Sequence, residues 1–362
     1  MAEVSTNLTS GGMRTRGDGI DGKGEEAVKV GALAIGGTAT GVGSLPHRDA
    51  EAAAAFSLRY TPELPAIPSL PRRSPAEGMI AQAVVGIRGV GLGPYGSFTV
   101  DLDRIDPLAP VATDIGHDAF GGFRAFLALA AGRTAPVKWQ LTGPVTLGLA
   151  LMRAGVPAST AFDVAVRAVR SRVQALHAEV TSALPAAPQV VVVDEPSIGE
   201  MMSPSFPLPP DVTIDIISGA LAAVENYALA GVHCCADADW ASVLASGPSV
   251  LSLPMSPSLA DVAGYLSGFL ERGGIIAWGV IPTDGPLSRS CDRPWRKLSA
   301  LWCQLVQRGC DAARLRQQSL ITPLCGLGMH AEQVAAGVFE QVGIVAYRVR
   351  TQALATRLNL GA

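Results

Sequence analysis

Basic charge is scarce in this chain of 362 residues: four lysines and twenty-four arginines are outweighed by 31 acidic side chains, for a net charge of −3. Without a basic footprint, nucleic acid is not expected as a partner. Long apolar runs are missing too. Nothing reaches the roughly 18 consecutive apolar residues of a membrane span, and the amino terminus lacks a charged stretch leading into an apolar core and a cleavage site. A cytoplasmic protein that does not engage a membrane is the expectation. The six cysteines form no dense framework, and two are adjacent, which fits reduced thiols rather than disulfides. No Gly-x-Gly-x-x-Gly turn follows the first expected strand, which weakens a dinucleotide-binding sheet.

What is present is apolar and regular. Hydrophobic residues make up 48% of the chain, enough to bury one large barrel or two ordinary domains. Residues 1–37 are rich in Gly, Ser, Thr and charge without periodicity and read as a disordered leader, leaving 38–362 as the folded part. A short strand is expected at 39–44, with Asp49 capping an alanine-rich helix through residue 58. Pro62, Pro65, Pro68, Pro71 and Pro75 then mark a stretch too poor in N–H donors for sheet or helix. A helix is expected from about residue 76 and a blurred second strand between 85 and 100.

Beyond that point helices and strands alternate. Strands are expected at 137–141, 189–193, up to Val232 or just beyond, 249–253, 275–280 and 319–324. Helices are expected at 118–131, 158–184, 215–230, 259–272, 294–308 and from 331. Eight strands alternating with helices predict an α/β fold, a single closed (β/α)8 TIM barrel.

In such a barrel chemistry collects where the strands end, and the polar clusters fall there: Gly43-Ser44, Thr142-Gly143-Pro144, Asp194-Glu195-Pro196, His233-Cys234-Cys235 and Thr322-Pro323-Leu324-Cys325-Gly326. Alternation along a strand points His233 and Cys235 one way and Cys234 the other. An imidazole and a thiolate so placed suit zinc, and Cys325 at the end of the last strand is the natural third ligand. Each cluster also has a plainer reading. His233 and Cys235 could be a packed histidine beside a buried thiol, Asp194 and Glu195 could cap a helix, and Gly43-Ser44 and Thr142-Gly143 could be turns. His47 reads as a solvated loop histidine.

Leu141-Thr142-Gly143-Pro144-Val145-Thr146, Asp194-Glu195-Pro196, His233-x-Cys235 and Pro323-Leu324-Cys325-Gly326-Leu327, in that order after Gly43-Ser44, resemble the catalytic barrel of cobalamin-independent methionine synthase. That family belongs to a broader group with uroporphyrinogen decarboxylase. The resemblance implies a zinc-dependent methyltransferase acting on a thiol, most simply homocysteine to give methionine, as in methionine biosynthesis. It implies zinc on His233, Cys235 and Cys325, and Asp194 holding the substrate ammonium. Gly43, Ser44, Thr142, Gly143 and Glu195 would lie beside the substrate. The partners implied are a small-molecule thiol and a methyl donor, either a folate or a corrinoid protein. Three family features are replaced: a glutamate ligand by Pro254, a second carboxylate by Ala81, and a folate-stacking tryptophan by Ala150. A metal-free decarboxylase of the uroporphyrinogen type and a non-catalytic thiol- or corrinoid-binding barrel are the other readings.

Overall fold

The computed structural model describes residues 36–288 and 290–351. The leader expected over residues 1–37 therefore lies almost wholly outside the described residues. A parallel seven-stranded sheet forms the centre of the fold. Its strands are β1 (Thr38–Ala39), β4 (Val137–Thr142), β5 (Gln189–Asp194), β6 (Leu229–His233), β7 (Val250–Pro254), β8 (Ile275–Ile281) and β9 (Ser319–Pro323). From β4 to β9 each strand pairs with its successor, and β9 then pairs with β1. Helices precede and connect them, including α1 (Ala50–Tyr60), α2 (Met79–Val84), α3 (Gly121–Leu129), α4 (Pro144–Arg153), α5 (Ala158–Ala183) and α6 (Pro210–Glu225). No described helix is long and apolar enough to cross a membrane.

The sheet curls so that β1 approaches β4, and what lies between them corrects the expected eight strands. Residues 85–100 hold only an antiparallel hairpin, β2 (Val90–Leu92) with β3 (Phe98–Val100), outside the parallel sheet. The position beside β4 is taken instead by the proline-rich stretch expected to be a loop. Ala66 bridges Lys138 and Ser69 bridges Ser44, both in parallel sense. The Ile67 N–H donates to the Lys138 carbonyl at 2.7 Å, the Lys138 N–H to Pro65 at 2.9 Å, and the Leu45 N–H to Ser69 at 3.0 Å. Prolines cannot donate, so a continuous ladder is impossible here, but their carbonyls still accept. Side chains supply other links. Thr40 Oγ1 donates to the Leu64 carbonyl at 2.7 Å and Gln140 Nε2 to that of Ile67 at 3.2 Å.

The strands expected from residue 137 onward lie where periodicity put them, whereas the first, expected at 39–44, is regular only at Thr38–Ala39, and one helix needs adjustment. The helix expected to run to residue 230 ends at Glu225, because the Val224 carbonyl takes the N–H groups of Tyr227 and Ala228 and releases the chain into β6. Strands such as Val190-Val191-Val192-Val193 are buried on both faces, as a parallel sheet covered by helices requires. One face packs into the large core under the helices. The other forms a small apolar cluster of Leu64, Val190, Val192, Leu229, Val250, Ile275, Ala277 and Leu320. Continuing that second face along each strand reaches Asp194, His233, Ser252 and Thr322, so an interior that starts apolar ends polar.

α4, which periodicity did not reveal, packs along α5 through a glycine. A Cβ at Gly148 would lie 2.3 Å from the Phe162 ring. Gly148→Ala is expected to cost about 1–3 kcal/mol by overpacking, read from the urea midpoint. An unchanged midpoint would mean that the two helices can separate freely.

Candidate metal centre

His233 ends β6, Cys235 lies two residues beyond it, and Cys325 lies two residues beyond β9. The sheet brings a ligand atom of each within 4.8 Å of the others, and no other such cluster of His, Cys, Asp or Glu is found among the described residues. The imidazole is fixed from behind, since Nδ1 lies 2.9 Å from Ser252 Oγ on the neighbouring strand. Its Nε2 is buried without a partner. Metal-binding histidines are likewise held by a partner on one ring nitrogen that leaves the other free. The closeness of Cys325 and His233 pushes the Cys235 thiol well below the usual thiol range, while Cys235 in turn pushes Cys325 up. A buried imidazole nitrogen without a partner, in one cluster with two thiols, fits a borderline-soft cation such as zinc.

Ser252→Ala removes the group that orients His233. Zinc affinity is expected to fall about 10- to 100-fold with the fold intact, as measured by competition with a chromophoric chelator. An affinity within twofold of wild type would show that the hydroxyl does not orient the ring.

The nearby acids and thiols divide sharply. Cys234 is buried on the opposite face, as alternation requires; it approaches the Pro196 carbonyl at 3.8 Å, and burial pushes its thiol up to about 12. Asp237 accepts from Ser256 Oγ at 2.8 Å, Ser258 Oγ at 2.7 Å and Trp240 Nε1 at 3.0 Å. Glu195 is fully buried and turned away from the cluster, accepting from the Val145 N–H at 2.8 Å, the Thr146 N–H at 2.7 Å and Thr146 Oγ1 at 2.6 Å. It holds the N-terminus of α4, so the structure places it behind the site. Gly143 lets it do so, since a Cβ there would lie 2.2 Å from Glu195 Oε1.

Asp194 is different. It is the backbone partner of His233 in the β5–β6 ladder and is half-buried, but its Oδ1 is sealed from solvent and has no hydrogen-bond partner. Burial pushes its carboxyl up to about 6 against the pull of His233 and Lys138. Lys138 went unnoticed in the sequence. This buried lysine on the interior face of β4 donates to the Val42 carbonyl at 2.6 Å and to Gln140 Oε1 at 3.3 Å. Burial pulls its ammonium down to about 8, with Asp194 opposing. A lysine in phase with Gln140 and Thr142, out of phase with Val137, Trp139 and Leu141, was the signal available.

The first-strand loop acts on the metal cluster through the backbone. Ser44 Oγ accepts from the Gly328 N–H at 3.2 Å, and the Ser44 carbonyl accepts from Leu327 at 2.9 Å. It thereby clasps the loop that carries Cys325. Gly43 has φ +155 and abuts Gln140, where a Cβ would lie 1.8 Å from Nε2. Thr142 Oγ1 donates to the Met79 carbonyl at 2.8 Å. His47, expected in solvent, is buried against Phe56 with ring centroids 4.8 Å apart; its neighbours on the following helix close over it.

No family model matches the chain, and no curated protein matches it in sequence. Among solved structures it is similar to a Listeria monocytogenes protein provisionally described as a vitamin-B12-independent methionine synthase. The two share 12% identity at a TM-score of 0.55, over 83% of this chain and 86% of the other. A bee venom hyaluronidase with a hyaluronic acid tetramer aligns at 9% identity over 77% of this chain and 85% of its own, and its TM-score of 0.32 carries no argument. The first likeness shows a common fold.

Proposed function

We propose that this chain is a zinc-dependent enzyme that transfers a methyl group to a thiol, with homocysteine the simplest acceptor. The carrying observation is the convergence of His233, Cys235 and Cys325 at the end of the sheet where barrel enzymes place their chemistry. The description of the Listeria protein supports the same reading. In this proposal residues 64–70 complete an eight-stave barrel whose mouth is the site. The three residues would hold zinc, which when bound lowers the pKa of a substrate thiol so that a thiolate exists at neutral pH.

The chain's own residues do the rest. Ser252 holds the imidazole through Nδ1 and leaves Nε2 free. Ser44 holds the Cys325 loop in place. Asp194 receives the substrate ammonium, and Lys138 beneath it favours the ionised carboxylate that this needs. The donor is a methyl-folate or a methyl-corrinoid protein, and the setting is the cytoplasm. A decarboxylase of the uroporphyrinogen type would leave the His-Cys-Cys convergence without a task.

The test is elemental analysis of purified protein followed by turnover. Stoichiometric zinc and methylation of homocysteine by one of the two donor classes are expected. No zinc after reconstitution under reducing conditions would overturn the mechanism. Zinc without turnover by either donor would favour a thiol-binding barrel.

A further inference from the structure

A zinc site of this kind has four donors, and the cluster supplies three. Each neighbouring position excludes itself except one. β7, the strand beside His233, ends in Pro254, which has no donor, and its Ser252 is engaged with the imidazole. Cys234 faces the core, and Asp237 and Glu195 are each held by three hydrogen bonds elsewhere. Asp194 is left. It stands one strand from His233, and its Oδ1 is shut off from water with nothing to bind. A buried, unpaired carboxylate oxygen beside three metal-type ligands is costly unless something arrives to satisfy it.

We infer that Asp194 supplies the metal's fourth donor until a substrate thiol takes that position. The inference rests on the zinc reading above and extends it to what the site does before substrate arrives. In the present rotamer the carboxylate lies outside the 4.8 Å cluster, so ligation requires it to turn about its side-chain bonds when a metal is bound. Such a turn between staggered wells costs less than a metal–carboxylate bond returns. When a thiol enters, its S–H proton leaves to solvent and the sulfur replaces the carboxylate oxygen. The carboxylate stays ionised, drawn back by the Lys138 ammonium. One residue thus closes the resting site and, once displaced, becomes free to meet the ammonium of the bound thiol. Pro254 is tolerated at the end of β7 because the donor comes from β5, on the other side of His233.

The test substitutes cobalt(II) for zinc and follows its absorption in wild type, Asp194→Asn and Asp194→Cys, with chelator competition for zinc affinity and a thermal melt of each metal-free protein. If position 194 reaches the metal, the cysteine adds a third thiolate to the two present, and the sulfur-to-cobalt charge-transfer band rises by about half. The asparagine variant should melt like wild type and bind zinc at least about tenfold more weakly. A nearby charge that does not ligate could weaken zinc binding, but it would not produce the third thiolate. An unchanged cobalt spectrum in Asp194→Cys, with wild-type zinc affinity in Asp194→Asn, overturns this inference and leaves the three-ligand site standing. A wild type that takes up neither metal overturns both.

Discussion

Cys325→Ser protein is expected to emerge from purification without zinc under conditions in which the wild type retains it. Structural zinc shells of four ligands are worth about 10–16 kcal/mol, so one donor carries roughly 3 kcal/mol, a hundredfold or more in affinity. A serine hydroxyl does not ionise at neutral pH and recovers little of this. The loss should be specific. Cys325 follows β9 in a loop held by backbone bonds to Ser44, so exchanging sulfur for oxygen leaves the melting temperature of the metal-free protein unchanged. Cys235→Ser should behave alike, and the adjacent Cys234 should not rescue it, because its thiol lies on the other face of the chain against the Pro196 carbonyl. Elemental analysis of the three proteins side by side decides the matter. Full zinc in Cys325→Ser would remove that residue from the site, and zinc kept in Cys235→Ser would mean that the strand end can turn over to offer Cys234.

The sequence made the convergence of His233, Cys235 and Cys325 legible because its information is local or periodic. His233 and Cys235 share a face by the two-residue period, and Cys325 lies just past a strand that the same period detects. The strands from Val137 to Pro323 were readable because each is a short, mostly apolar run set between helical patterns. The stave next to β1 was not, because its evidence is in the tertiary structure. Pro65 and Ser69 act there as carbonyl acceptors, which no pattern of N–H donors reveals, while the Gly-rich hairpin around Tyr95 imitates a strand. The two carboxylates were separable in principle. Val190, Val192 and Asp194 are in phase, so Asp194 belongs to the interior and Glu195 to the helix side. Lys138 could have been found by the same parity, had its one charge been weighed against the apolar residues around it.

Glu195→Ala is expected to destabilise the metal-free fold more than any substitution at the His-Cys-Cys cluster, although it removes no ligand. The carboxylate takes two backbone N–H groups and a hydroxyl at the start of α4, a helix end that would otherwise be buried with unsatisfied donors. Removing the acceptor leaves those donors unpaired, at about 3–5 kcal/mol by analogy with broken buried charge pairs. Gly143→Ala should approach the same loss from the other side, since its Cβ would displace the carboxylate. The penalty should also depend on pH. Burial pushes Glu195 up to about 7 in the folded state, above its ordinary value of 4.5, with the hydrogen bonds from Thr146 and Val145 offsetting only part of the effect. A carboxyl whose folded pKa is raised contributes most below its unfolded pKa, and that contribution fades as pH rises through the folded value. The wild-type advantage over Glu195→Ala should therefore be widest near pH 4.5 and narrow by about 3 kcal/mol, the worth of the shift, on passing pH 7. Urea unfolding of both proteins between pH 4.5 and 8 measures this directly. A gap that widens with pH would mean that the helix N-terminus holds the ionised carboxylate more strongly than burial opposes it. The Asp194 carboxyl would then be working beside a permanent neighbouring charge, which by repulsion would favour its protonated form.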